Sequence, residues 1–97
     1  MSTSITVVAI VEGRPETREA LEAGIRAVVG PTRAEPGCLS YVATRDLGTA
    51  GRYVFVEQWE SQAALDAHMN TPHLKTFGGM VESLGASLSV MTLVPLD

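Results

Sequence analysis

Apolar positions along this chain switch between a period of two and a helical period, and the switches mark its elements. Residues 5–12, ITVVAIVE, carry Ile5, Val7, Ala9 and Val11 on one side and Val8 and Ile10 on the other. A strand apolar on both faces needs cover on both. Gly13 ends it, and Pro15 suits the first position of a helix whose acidic start, Glu16, Glu19 and Glu22, complements the dipole. Leu21, Ile25, Val28 and Val29 then recur at helical spacing. Gly30-Pro31 is expected to end or kink this helix, because proline lacks a donor and crowds the preceding turn. A short turn through Arg33 and Ala34 leads into Glu35-Pro36-Gly37, which reads as punctuation and not as a site.

Residues 38–46 read as a second strand with Leu39, Tyr41 and Ala43 on one face, and 47–51 as a hairpin loop. Residues 52–59, RYVFVEQW, form the third strand, with Tyr53, Phe55, Glu57 and Trp59 on one face and Val54, Val56 and Gln58 on the other. Ser61 can cap a short helix with Ala64, Leu65, His68 and Met69 on one side. Thr71-Pro72 starts another, with Leu74, Phe77, Met80, Val81 and Leu84 in register and a possible bend at Gly78-Gly79. Residues 87–94 make the last strand, closed by Pro95.

The order βαββααβ predicts an α+β, ferredoxin-like fold: one antiparallel sheet with helices on one face and a pocket between the layers. The 97 residues are read as a single domain, 1–97. Apolar residues on the helix-free face of the first and third strands call for a second sheet to cover them, so a homodimer is expected.

Composition narrows the function classes. The formal charge is −4, from eleven acidic and seven basic residues, and the basic ones are scattered. No stripe exists to grip phosphates, so neither nucleic acid nor an anionic membrane is an expected partner. No run approaches the roughly 20 apolar residues of a membrane span. Cys38 is the only cysteine, and the first residues lack the charged start and cleavage pattern of a secretory leader, which points to the cytoplasm.

The chemistry-bearing side chains are few. Glu57 lies between Phe55 and Trp59 on one strand face, where a carboxylate serves as base or substrate anchor, or else pairs with an arginine or a nearby backbone group. His68 and His73 are either structural or a proton acceptor. The two histidines and Glu57 match no strong zinc spacing, so no metal is expected. Cys38 opens a strand without an adjacent base and reads as a small buried hydrophobe.

The succession Glu35-Pro36-Gly37-Cys38-Leu39-x-Tyr41, then Phe55-x-Glu57-x-Trp59-x-Ser61, then Ala64-Leu65-x-x-His68 and Pro72-His73, resembles the antibiotic biosynthesis monooxygenase (ABM) domain family with its quinol-monooxygenase-like members. The likeness runs from about Ile5 to Val94. It implies a dimeric α/β-barrel with a pocket in each subunit. The family includes enzymes that oxidise polycyclic phenols to quinones with O2 and no cofactor, haem-degrading enzymes and isomerases. Where the phenol oxidisers carry an asparagine four residues before the strand tryptophan, this chain has Phe55. The asparagine of the first strand and the tryptophan of the helical region that mark haem degradation are both missing from ITVVAIV and ALDAHM.

The resemblance implies a cofactor-independent monooxygenase, without flavin, metal or haem, acting on a small phenolic or hydroquinone-type aromatic. No Gly-rich dinucleotide fingerprint is present, so the substrate itself must supply the electrons. Tyr41, Phe55, Trp59, Phe77 and Met80 are the candidate walls, and His68, His73 or Glu57 the candidate base. A non-catalytic small-molecule-binding dimer and a cofactor-free isomerase stay open on the same fold.

Overall fold

The computed structural model describes residues 4–97. Strand β1 (Ile5–Glu12) leads through a 3-10 turn at Pro15–Thr17 into α1 (Arg18–Arg33). Strands β2 (Cys38–Arg45) and β3 (Arg52–Trp59) follow, then α2 (Gln62–Met69), α3 (Pro72–Ser83) and β4 (Ser87–Leu93). The strands form one antiparallel sheet in the order β2-β3-β1-β4. This is the ferredoxin-like α+β layout, and it makes β1 and β3 the central pair.

Period-two burial fixes the inner face. Ile5, Val7, Ala9 and Val11 of β1 are buried, as are Tyr53, Phe55, Glu57 and Trp59 of β3. They pack with Leu21, Ile25 and Val28 of α1, Leu65 of α2, and Phe77 and Val81 of α3. The opposite face carries Val8, Ile10, Val54 and Val56, with Val42 and Met91 in register beside them. Val42, Val56 and Met91 are 40–45% exposed in the single chain.

Helix α1 does not stop at Gly30-Pro31 but runs on to Arg33. Pro31 removes one hydrogen bond to Ala27, yet both residues are exposed, so water reaches the freed carbonyl. On the other side Val28 and Thr32 are buried, and the Thr32 hydroxyl donates to the Val28 carbonyl at 2.7 Å. Packing of that stripe outweighs the single lost bond. Helix α3 likewise continues through Gly78-Gly79, from Pro72 to Ser83.

In β2 the expected face is broken by a β-bulge between Cys38 and Ser40. Tyr41 is buried opposite Glu57, while Leu39 is 61% exposed instead of sharing the Tyr41 face. An extra residue in one strand shifts the alternation by one. Both expected caps are present: Ser61 Oγ accepts from the Ala64 N–H at 3.1 Å, and Thr71 Oγ1 from the Leu74 N–H at 3.4 Å. Every residue of β4 is exposed. Among the described residues no helix is long and apolar enough to cross a membrane.

Candidate active site

Between the inner sheet face and helices α2 and α3 lies a cavity of about 400 Å³. Val7, Ala9, Tyr41 and Phe55 form its floor, Leu65 and Phe77 its helical wall, and Leu88 and Val90 of β4 its open side. Phe55 stands edge-on to Tyr41 and to Phe77, each at 5.7 Å between centroids, an arrangement aromatic rings favour. The buried Glu57 and His68 side chains face this apolar space from the interior, and Gln62, Asp66, Lys75 and Thr92 also line it.

Of the residues singled out in the sequence, the fold brings Tyr41, Phe55, Glu57, His68 and Phe77 together on the cavity wall. Trp59, His73 and Met80 do not line it. Trp59 is fully buried behind Glu57. Met80 turns toward α1, where it fills the space a side chain at Gly24 would need. His73 reaches Glu35 instead.

Glu57 and Trp59 share a face of β3 because they are two residues apart. The indole N–H of Trp59 donates to Glu57 Oε1 at 2.9 Å. The partner of this buried carboxylate is therefore an aromatic donor, not an arginine or a backbone group. Burial pushes the Glu57 carboxyl above its ordinary range, against the lowering effects of the Trp59 bond and of nearby His68. The Tyr41 phenol is pushed up as well, first by burial and then by the charge of Glu57, so it stays protonated. Burial also raises the Cys38 thiol, which disfavours the thiolate that a nucleophile needs.

The second constellation was not legible in the sequence. Glu35, which reads there only as part of a turn, accepts hydrogen bonds on one oxygen, Oε2, from His68 Nδ1 at 2.8 Å and His73 Nε2 at 2.7 Å. Its role as a hub overturns the reading of Glu35-Pro36-Gly37 as punctuation alone. Gly37 does serve the turn, with φ of +84°. Glu35 lies 33 and 38 residues from its partners, so no local spacing could have flagged it. The His68 side chain is 3% exposed and that of Glu35 10%. The His68 ring lies against Trp59, with centroids 4.6 Å apart and planes 32° apart, and meets Tyr41 at 5.8 Å.

Among the described residues, Glu35, His68 and His73 bring one ligand atom each to within 4.8 Å of the others, a set that could hold a divalent metal. Ligand atoms around tetrahedral zinc stand about 3.3 Å apart, given bonds near 2.0–2.1 Å. The 2.7 and 2.8 Å separations here are those of protons shared with a carboxylate.

A second concavity, about 290 Å³, lies between α1 and strands β2 and β3. There Glu22 gathers Arg18, Arg26, Arg45 and the Tyr53 hydroxyl, at 2.7–3.3 Å. Those bonds satisfy the carboxylate fully and tie the helix to the sheet.

An apolar, aromatic-walled cavity with a few convergent polar groups has the form of a small-molecule site. The chain belongs to the antibiotic biosynthesis monooxygenase family, whose model matches residues 4–79. It is 38% identical to Rv0793 of Mycobacterium tuberculosis, a protein with a provisional monooxygenase name, over 100% of this chain and 96% of that one. It is 30% identical to the Escherichia coli protein named "Probable quinol monooxygenase YgiN", over 94% and 97% of the two chains. Among solved structures, PA3566 of Pseudomonas aeruginosa superposes with a TM-score of 0.90 at 38% identity, covering 100% of this chain and 98% of that one.

Proposed function

We propose that this protein is a cofactor-independent monooxygenase that oxidises a phenolic or hydroquinone-type aromatic with O2, acting as a cytoplasmic homodimer. The observation that carries the reading is the cavity itself: aromatic walls with the His68 imidazole and the Glu57 carboxyl facing the same apolar space. The family membership and the monooxygenase names of its relatives support the reaction class. The apolar outer sheet face supports the dimer, in which a second copy removes Val56, Val42 and Met91 from water.

The reaction needs no electron source beyond the substrate. The base takes the phenolic proton, and the phenolate passes one electron to O2, forming a phenoxyl radical and superoxide. Their coupling makes a carbon–oxygen bond. The resulting hydroperoxide then loses its carbon-bound proton as the O–O bond breaks, leaving a carbonyl and one water. One oxygen atom of O2 ends in the quinone and the other in water, so phenol plus O2 balances to quinone plus water. The apolar walls favour this chemistry by limiting the water that reaches the charged species. The cavity's Glu57 and His68 side chains hold the proton and hydrogen-bond the oxygen anion.

The test is oxygen uptake by protein freed of metal with a chelator, screened against hydroquinones, naphthols and anthrones with no added cofactor. Uptake with one atom of labelled O2 in the quinone is the expected result. Release of all reduced oxygen as hydrogen peroxide would make it an oxidase. Tight binding of these aromatics with no uptake would leave a non-catalytic binder.

A further inference from the structure

Glu35 and His73 do not line the cavity, whereas His68 does, and this asymmetry assigns roles. We propose that Glu35 is a positioning residue that fixes one tautomer of His68 and so makes its Nε2 the proton acceptor of the cavity. The inference rests on the monooxygenase reading for its activity arm only.

An ionised carboxylate can only accept hydrogen bonds. Glu35 Oε2 stands 2.8 Å from His68 Nδ1, so that nitrogen carries the proton in the neutral ring, and Nε2 carries the lone pair. The ring edge that Glu35 does not hold is the edge left for a ligand. His73 Nε2 donates to the same oxygen at 2.7 Å, so the carboxylate is clamped from a second helix and cannot swing away with the ring. Contact with the Trp59 indole and the Tyr41 ring opposes a flip of the imidazole.

Trp59 thereby supports two buried polar groups of the cavity, packing on His68 and donating to Glu57. The groups that face the His68 ring are Glu35, Glu57, His73, Tyr41 and Trp59. Glu57 shares the cavity with one of its oxygens held by the Trp59 N–H, while the imidazole is the group whose acceptor nitrogen is set by a second residue, Glu35. In the step itself the substrate O–H bond breaks and an Nε2–H bond forms. Nδ1 keeps its proton, and the ionised Glu35 stabilises the imidazolium. This is the carboxylate-to-imidazole logic of general-base dyads, where the carboxylate orients the ring and takes no proton itself.

Nitrogen-15 spectra of the histidine rings in the full-length protein test the tautomer without any substrate. In the neutral wild-type ring, Nδ1 should carry the proton and Nε2 the lone pair. Glu35→Leu should collapse that distinction into a tautomer mixture, while Glu35→Gln, whose carbonyl still accepts from Nδ1, should retain it. With 1,4-naphthohydroquinone as the probe, Glu35→Leu should lower kcat on the order of 10²-fold and Glu35→Gln less, both with KM essentially unchanged. A wild-type ring protonated at Nε2, or ring spectra unaltered by Glu35→Leu, would overturn the proposal. The spectra in their expected form without oxygen uptake would leave the positioning role standing and remove the monooxygenase reading.

Discussion

The Trp59 indole N–H meets Glu57 Oε1 at 2.9 Å, between two side chains of one strand that are both almost wholly buried. Indole is a donor only, so the pair has a fixed polarity. Removing that donor by Trp59→Phe leaves a buried carboxylate without its hydrogen bond, which costs about 1–3 kcal/mol beyond the loss of ring volume. Urea unfolding of Trp59→Phe, Glu57→Leu, which removes the acceptor, and the double variant should reveal a coupling between the two sites. Additive losses would mean that the bond contributes nothing to stability.

Glu57 also sets a pH dependence. Its carboxyl is raised in the folded protein, mainly by burial, so the native state holds that proton more firmly than the unfolded chain does. Stability from this group is therefore shed as pH climbs from the ordinary carboxylate range toward the raised folded value. Glu57→Gln keeps an acceptor for the Trp59 N–H without the charge. Its melting temperature should match wild type at acid pH and exceed it at neutral pH, although oxygen uptake falls. A wild-type advantage at neutral pH would contradict this account.

Glu22 acts in the opposite sense. Hydrogen bonds from Arg45 first, and then from Tyr53 and Arg18, hold its carboxyl down at about 2, from an ordinary 4.5. Its contribution is present above the ordinary value and is lost as pH falls toward about 2. Glu22→Gln should lower the melting temperature at neutral pH, and the gap to wild type should close on acidification through that window. Thermal melts across the acid range measure it directly.

Two glycine substitutions separate conformational need from mere tolerance. Gly51 has φ of +88°, and a Cβ there would collide with the Gly13 carbonyl oxygen, where the two chains run close enough for Gly13 N–H to donate to Gly51 O at 2.8 Å. Gly51→Ala should destabilise by more than the roughly 1 kcal/mol typical of an alanine forced to positive φ. Gly79 lies inside α3 with open space around it, so Gly79→Ala should stabilise by about 0.5–1 kcal/mol. Chemical denaturation of both variants decides the signs.

Assembly can be read from one outer-face residue. Val56 pairs with Val8 and Val42 on the helix-free side and is 40% exposed. Light scattering at micromolar concentration should give twice 10.3 kDa for the wild type. Val56→Glu should give the monomer mass, because it places a charge in an interface expected to exceed roughly 1,000 Å². A wild-type monomer that is stable at that concentration would refute the dimer.

Local periodicity was enough for much of this architecture. Alternation in ITVVAIVE and RYVFVEQW put Val7, Phe55, Glu57 and Trp59 on one buried face, and the Ser61 and Thr71 caps located the starts of α2 and α3. Backbone geometry within a few residues dictates such features, so sequence order carries them. The site depended on more. Phe77 and Met80 lie on one helical stripe, yet only Phe77 faces the cavity, because the placement of α3 against α1 sets Met80 on Gly24. Helix α1 outran its proline because tertiary packing buried Thr32. Above all, the Glu35 carboxylate meets His68 and His73 only once the turn before β2 is laid against α2 and α3. No spacing encodes that meeting, since it depends on the path of the folded backbone between residues that are distant in the chain.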